Sequence, residues 1–161
     1  MSEEPAVSEE LLEKGHHESW ERTVHVHDDD EYFFRPAEMD EFSLSDYTSG
    51  VGCAVESDRI QVLYNTKEAG TGAVPHEHPN EQFNYVLEGT LRVIVDGEEE
   101  LAPAGTLFYI PANATHQTVA TEEGDATYLE IKDASYGISG YAVDEDEGAH
   151  HDPNEESGDA S

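Results

Sequence analysis

Two stretches, GTGAVPHEHPNEQFNYVLEG at residues 70–89 and GTLFYIPANATH at residues 105–116, hold three of the nine histidines of this 161-residue chain at fixed spacings. In an extended strand successive side chains point to opposite faces, so His76 and His78, separated by Glu77, project the same way and can share one ion. Gln82 follows in phase with both. His116 comes from a distant strand, after a turn anchored by Pro111, and is expected from the opposite wall of whatever the strands enclose. Convergence of nitrogen and oxygen donors from separate segments is how protein metal sites are assembled.

The flanks read as short strands. Arg59 to Thr66 alternates, with Ile60, Val62 and Tyr64 on one face and Arg59, Gln61, Leu63 and Asn65 on the other. Leu91 to Val95 is apolar at its odd positions, Asp96-Gly97 marks a hairpin turn, and Glu98 to Leu101 returns. Leu107 to Ile110 is apolar on both faces, the pattern of a buried central strand. His116 to Thr121 and Ala126 to Lys132 form a last hairpin around Glu123-Gly124-Asp125. With Phe42 to Tyr47, Gly52 to Val55 and Phe83 to Leu87, this makes about ten strands at the spacing of an all-β barrel or double sheet.

The two stretches together resemble the paired motifs of the cupin superfamily. The first motif, G-x5-H-x-H-x3-E-x6-G, maps onto Gly70, His76, His78, position 82 and Gly89; the second, G-x5-P-x-G-x2-H-x3-N, maps onto Gly105, Pro111, position 113 and His116. Gln82 stands where the family usually has Glu, Asn113 where it has Gly, and Ala120 where it has Asn. Asn is the non-Gly residue that best tolerates a left-handed turn, and position 120 is not a ligand position. Gln82 replaces a carboxylate with a neutral amide oxygen. A subset of small cupins, similar to the pectin-degradation proteins that open unsaturated ketouronates, carries HxHP-x-EQ, and residues 76–82 here read HEHPNEQ. The resemblance implies a double-stranded β-helix of jelly-roll type, a divalent ion on His76, His78, Gln82 and His116, and homodimers paired edge to edge.

Neutral donors leave a bound ion its full double charge, and four of them on a six-coordinate ion leave two adjacent positions for a hydroxy acid, keto acid or enediol. Mixed nitrogen and oxygen donors suit Zn, Fe, Mn, Ni or Co. Asn84, in phase with Gln82, is a candidate to orient a substrate hydroxyl, and Tyr64 is a candidate to donate or accept a proton. The plainer readings are a satisfied core amide and a packing aromatic. Arg35, Arg59 and Arg92 are candidates for a carboxylate clamp, against the alternative of surface pairing. The expected function is metal-assisted isomerisation or lyase chemistry on a small oxygen-rich acid, a sugar acid or keto acid. The alternatives are a non-catalytic binding or sensor module and an iron-dependent dioxygenase.

Composition bounds the partners. The net charge is −31, from 38 acidic residues against 7 Lys and Arg, and the acid runs through the strands and turns as well as the ends. That distribution points to a surface adapted to a high-salt cytoplasm, where repulsion is screened within about 3 Å at 1 M salt. Nucleic acid is not an expected ligand, since phosphate recognition needs a basic face. Cys53, the one cysteine, permits no internal disulfide. No leader-like or bilayer-length apolar run is present, so a cytoplasmic protein with no membrane partner is expected. The chain divides into an acidic extension at residues 1–31 with a short helix from Ser8 to Lys14, a β-barrel at residues 32–143, and a disordered acidic tail at residues 144–161.

Overall fold

Alternation and turn chemistry together divide the chain into strands. A computed structural model describes residues 24–137 and 140–143. In chain order its strands are β1 (Val24–Val26), β2 (Phe42–Ser43), β3 (Val51–Glu56), β4 (Ile60–Lys67), β5 (His76–Glu77) and β6 (Gln82–Glu88). They continue as β7 (Thr90–Val95), β8 (Glu98–Pro103), β9 (Leu107–Ile110), β10 (His116–Ala120), β11 (Ala126–Asp133) and β12 (Tyr141–Ala142). One sheet has the order β1-β3-β4-β11-β6-β9, with β2 on β3; the other has the order β12-β5-β10-β7-β8.

The two inner faces meet in a buried apolar cluster of Val86, Leu91, Val93, Ala102, Ala120, Ala126 and Tyr128, drawn from both sheets. Full burial of a side chain such as Val86 or Leu91 contributes about 1.5–3 kcal/mol. Asp96 (φ 49°) and Gly97 (φ 87°) both take the left-handed conformation that joins β7 to β8, as the Asp-Gly pair requires. Gly89, at φ 78°, turns β6 into β7, and a Cβ there would sit 2.2 Å from the Asp125 carbonyl oxygen.

Along β6, β10 and β11 the inward positions change character from one end to the other. Gln82 and Asn84 give way to Val86, His116 and Thr118 to Ala120, and Lys132 and Glu130 to Tyr128 and Ala126. One end of the interior is therefore dry core and the other a polar cavity.

Three expectations are corrected. β9 ends its sheet and is not a central strand: Leu107 and Tyr109 are 58% and 44% exposed because no further strand or layer covers them. His116 does not face His76 from the opposite wall, because β10 and β5 are neighbours in one sheet and the two residues are direct ladder partners. Gln82 does not share a strand with His76: the chain bends at Pro79 and Asn80, and β6 starts in the facing sheet. Proline has no N–H to continue the ladder, which ends the extended run.

The larger sheet also takes in β1, ahead of the expected barrel start at Tyr32, as an edge strand parallel to β3. The helix expected from Ser8 to Lys14 and the tail at residues 144–161 lie outside the described residues. Among the described residues, no helix is long and apolar enough to cross a membrane.

Candidate metal centre

His76 and His116 come from adjacent strands of one sheet, and His78 follows β5 as the chain turns toward the other. Their ligating nitrogens all lie within 4.8 Å of one another, and all three residues are buried. Ring centroids stand 4.2 Å apart for His76 and His116, 4.8 Å for His78 and His116, and 6.1 Å for His76 and His78. Asn113 makes the turn that delivers His116, at φ 65°, and its N–H donates to the His78 carbonyl at 2.8 Å. Asn113 thus adopts the left-handed geometry expected of it.

Each imidazole is oriented by its own backbone. Nδ1 of His76 donates to the Val74 carbonyl at 2.8 Å, Nδ1 of His78 to that of Asn80 at 2.9 Å, and Nδ1 of His116 to that of Ala114 at 2.9 Å. A carbonyl only accepts, so the proton sits on Nδ1 and the Nε2 lone pair is left over. Nε2 of His78, Nε2 of His116 and Oε1 of Gln82 are buried with no hydrogen-bond partner among the described residues. Unpaired buried acceptors are costly, and several aimed into one cavity fit a cation.

Electrostatics agree with this donor set. Burial pushes His76 and His78 well below the ordinary histidine value, with the other histidines adding to the effect at His76 and Lys132 adding to it at His78. Burial pushes His116 down to about 4. The three rings are therefore neutral at neutral pH, the form that ligates.

Gln82 and Asn84 line the same cavity as the histidines, and Gln82 Nε2 donates to Asn84 Oδ1 at 2.7 Å. Tyr64 does not reach it. The inward face of β4 is Gln61, Leu63, Asn65 and Lys67, all 2% exposed or less, so Tyr64 points away. Arg35 and Arg59 are exposed, and Arg92 lies 3.8 Å from Glu99; none of the three lines the cavity.

The cations in the lining are instead Lys67 and Lys132, with Glu130 and Thr118 beside them. Sequence reasoning passed over these groups, although the retention of so few lysines in so acidic a chain was a signal for them. Tyr47 was passed over as well. Its ring stacks on His76 at 4.4 Å, and its hydroxyl accepts from the Gly140 N–H at 2.6 Å.

Comparisons with known proteins agree with this architecture. Residues 64–132 match the family model described as Cupin domain. The chain is 44% identical over 50 residues to dimethylsulfoniopropionate lyase DddW of Ruegeria pomeroyi, a match covering 31% of this chain and 33% of that one. It is 29% identical over 69 residues to pectin degradation protein KdgF of Dickeya dadantii, covering 42% of this chain and 63% of that one. The chain thus spans less than two thirds of the length of either curated relative. Among solved structures, KdgF from Halomonas sp. superposes with a TM-score of 0.57 at 23% identity, covering 64% of this chain and 93% of that one. An RmlC-like cupin from Shewanella frigidimarina gives a TM-score of 0.54 at 20% identity, covering 65% and 92%.

Proposed function

We propose that this chain, which belongs to the cupin superfamily, is a metal-dependent enzyme acting on a small oxygen-rich acid by isomerisation or lyase-type chemistry. The observation that carries the reading is the set of buried lone pairs, on imidazoles whose other nitrogens are already committed to the backbone. His76, His78 and His116 would hold the ion, with Gln82 Oε1 as fourth donor. A Zn, Fe, Mn, Ni or Co ion bound there supplies Lewis acidity toward a carbonyl or carboxylate oxygen.

The remaining work falls to side chains. Asn84 Oδ1 takes the Gln82 amide N–H, which turns Gln82 Oε1 toward the centre and leaves the Asn84 amide nitrogen to orient a ligand hydroxyl. Glu130 lines the cavity and accepts a hydrogen bond from Asn65 Nδ2 at 2.9 Å; it is a carboxylate placed to take up and return a proton. The polar cavity, about 40 Å³, favours a small ligand over a large one. A lyase and a pectin degradation protein among the relatives support small-molecule turnover.

The test is metal analysis of protein purified in high salt, followed by anaerobic incubation with uronates, hydroxy acids and keto acids monitored by NMR. Metal-dependent consumption without oxygen is the expected result. Tight binding without turnover would select a sensor module, and turnover confined to an aerobic parallel sample, with oxygen uptake, a dioxygenase.

A further inference from the structure

In a chain of net charge −31 with three lysines, two of them, Lys67 and Lys132, are buried in the lining of the metal-centre cavity. An ammonium taken out of water costs several kcal/mol unless it is paired. Lys132 has Glu130, its Nζ standing 3.7 Å from a carboxylate oxygen. Lys67 makes no ion pair with any carboxylate among the described residues. Its Nζ donates to the Thr118 carbonyl at 2.9 Å and to Thr118 Oγ1 at 2.7 Å, and lies 5.6 Å from the centroid of the Tyr128 ring. Two neutral acceptors take two of an ammonium's three N–H groups, and one remains.

The surrounding charges do not balance. Two ammonium groups and three neutral imidazoles face one carboxylate, Glu130, which is already shared between Asn65 and Lys132. The interior is thus cationic inside a strongly anionic protein, before any ion is added. A ligand bearing a positive group would be repelled here, and a ligand bearing one negative charge at each end would compensate both the centre and the unpaired ammonium.

We propose that Lys67 is the anion-recognition residue of this cavity and that the ligand is a small dianionic acid, one carboxylate at the three-histidine centre and the second anionic group on the Lys67 ammonium. The inference rests on the reading of the histidines as a metal centre and narrows its substrate class. A cavity of about 40 Å³ restricts the connecting chain to a few carbons. Burial pushes Lys67 down to about 8, against a smaller opposing pull from Glu130, so the charge is still carried at pH 7. Thr118 holds the ammonium in place from the strand that carries His116, which couples the two binding points through β10.

The test is calorimetric titration of metal-loaded protein at fixed high KCl with malonate and succinate, and in parallel with acetate and propionate. Metal content is measured on the same samples. The wild type is expected to bind a dianion at least about tenfold tighter than its monoanionic counterpart. Lys67→Met is expected to keep its metal and its monoanion affinity while losing about 10- to 100-fold toward the dianion, the range for a charged hydrogen bond. Equal wild-type affinity for both acid classes overturns the proposal, as does a Lys67→Met protein that binds dianions like the wild type. The wild-type comparison needs no variant, so it can overturn the proposal even where Lys67→Met fails to fold. Metal-dependent monoanion binding without dianion preference removes the role of Lys67 alone; absence of any metal-dependent acid binding removes the functional reading beneath it as well.

Discussion

His116 sits directly across the ladder from His76, their ring centroids 4.2 Å apart, so that two donors of the centre are neighbours in one sheet while Gln82 approaches from the other. Directly opposed residues on one face of an antiparallel pair are held at close, nearly fixed separation by the backbone itself. The pair is therefore rigid, and the distance to Gln82 depends on how the sheets pack.

This arrangement separates the four donors experimentally. His76→Ala, His78→Ala and His116→Ala should each drop bound metal well below one ion per chain, read by elemental analysis. Gln82→Glu adds a negative charge at nearly constant shape, so metal should be held at least as tightly while affinity for a small acid falls on the order of tenfold. A Gln82→Glu protein identical to wild type in both respects would reduce the centre to three histidines.

Acid should destabilise the metal-free protein over a defined window. His116 is pushed down to about 4 in the folded state from an ordinary value of 6.5, and His76 and His78 are pushed down as well. Below pH 6.5 the unfolded chain therefore binds more protons than the folded one. Stability is fully present above 6.5 and is lost as pH falls toward 4, by on the order of 3 kcal/mol from His116 alone. Thermal melts between pH 8 and pH 4 at constant salt check this, and a flat profile through that window would contradict the burial of neutral rings. Metal should raise the melting temperature most at the upper end, where it does not compete with protons.

Screening should matter throughout. With 38 acidic residues against 7 basic ones, melting temperature should climb steeply with KCl as like-charge repulsion is shortened to about 3 Å at 1 M. Chelator should subtract a further, separate increment that added metal restores. A melting temperature insensitive to salt would show that the acidic surface carries little repulsion.

The last described strand supports the centre from outside. β12 pairs with β5, placing Ala142 opposite His76, and a Cβ on Gly140 would stand 2.1 Å from the Glu77 carbonyl oxygen and 2.9 Å from His78 Cβ. Gly140→Ala should therefore displace β5 or β12, costing about 1–3 kcal/mol and weakening metal binding. Removing residues 144–161 should change neither property, whereas removing residues 140–161 should change both, since it also takes away the N–H bonded to Tyr47. Wild-type metal affinity in the longer deletion would show that β12 is dispensable.

Much of this was legible in the sequence because spacing is a backbone property. The alternation at Leu91 to Val95, the Asp96-Gly97 turn and the left-handed Asn113 follow from local chemistry, and the structure has them. The three histidines converge as their motifs indicated. What misled was polarity. On β4 the pattern that marks a buried face elsewhere, Ile60, Val62 and Tyr64, lies outward, because the interior at that end is a polar cavity lined by Asn65 and Lys67. Leu107 to Ile110 misled for the converse reason, since an apolar strand at a sheet edge reads the same as one at its centre. The bend at Pro79, which moves Gln82 to the facing sheet, involves pairing between distant segments that no local window contains.

Because the Val74, Asn80 and Ala114 carbonyls take the Nδ1 protons, the tautomer of all three rings is set by the backbone and not by the identity of any lining side chain. A substitution at Lys67, Thr118 or Glu130 elsewhere in the lining therefore changes the charge that a ligand meets without changing which ring nitrogens carry the protons. Descendants of such a chain can retool which molecule enters while inheriting the ion-binding hardware intact, so a change of diet requires no reinvention of the centre that does the chemistry.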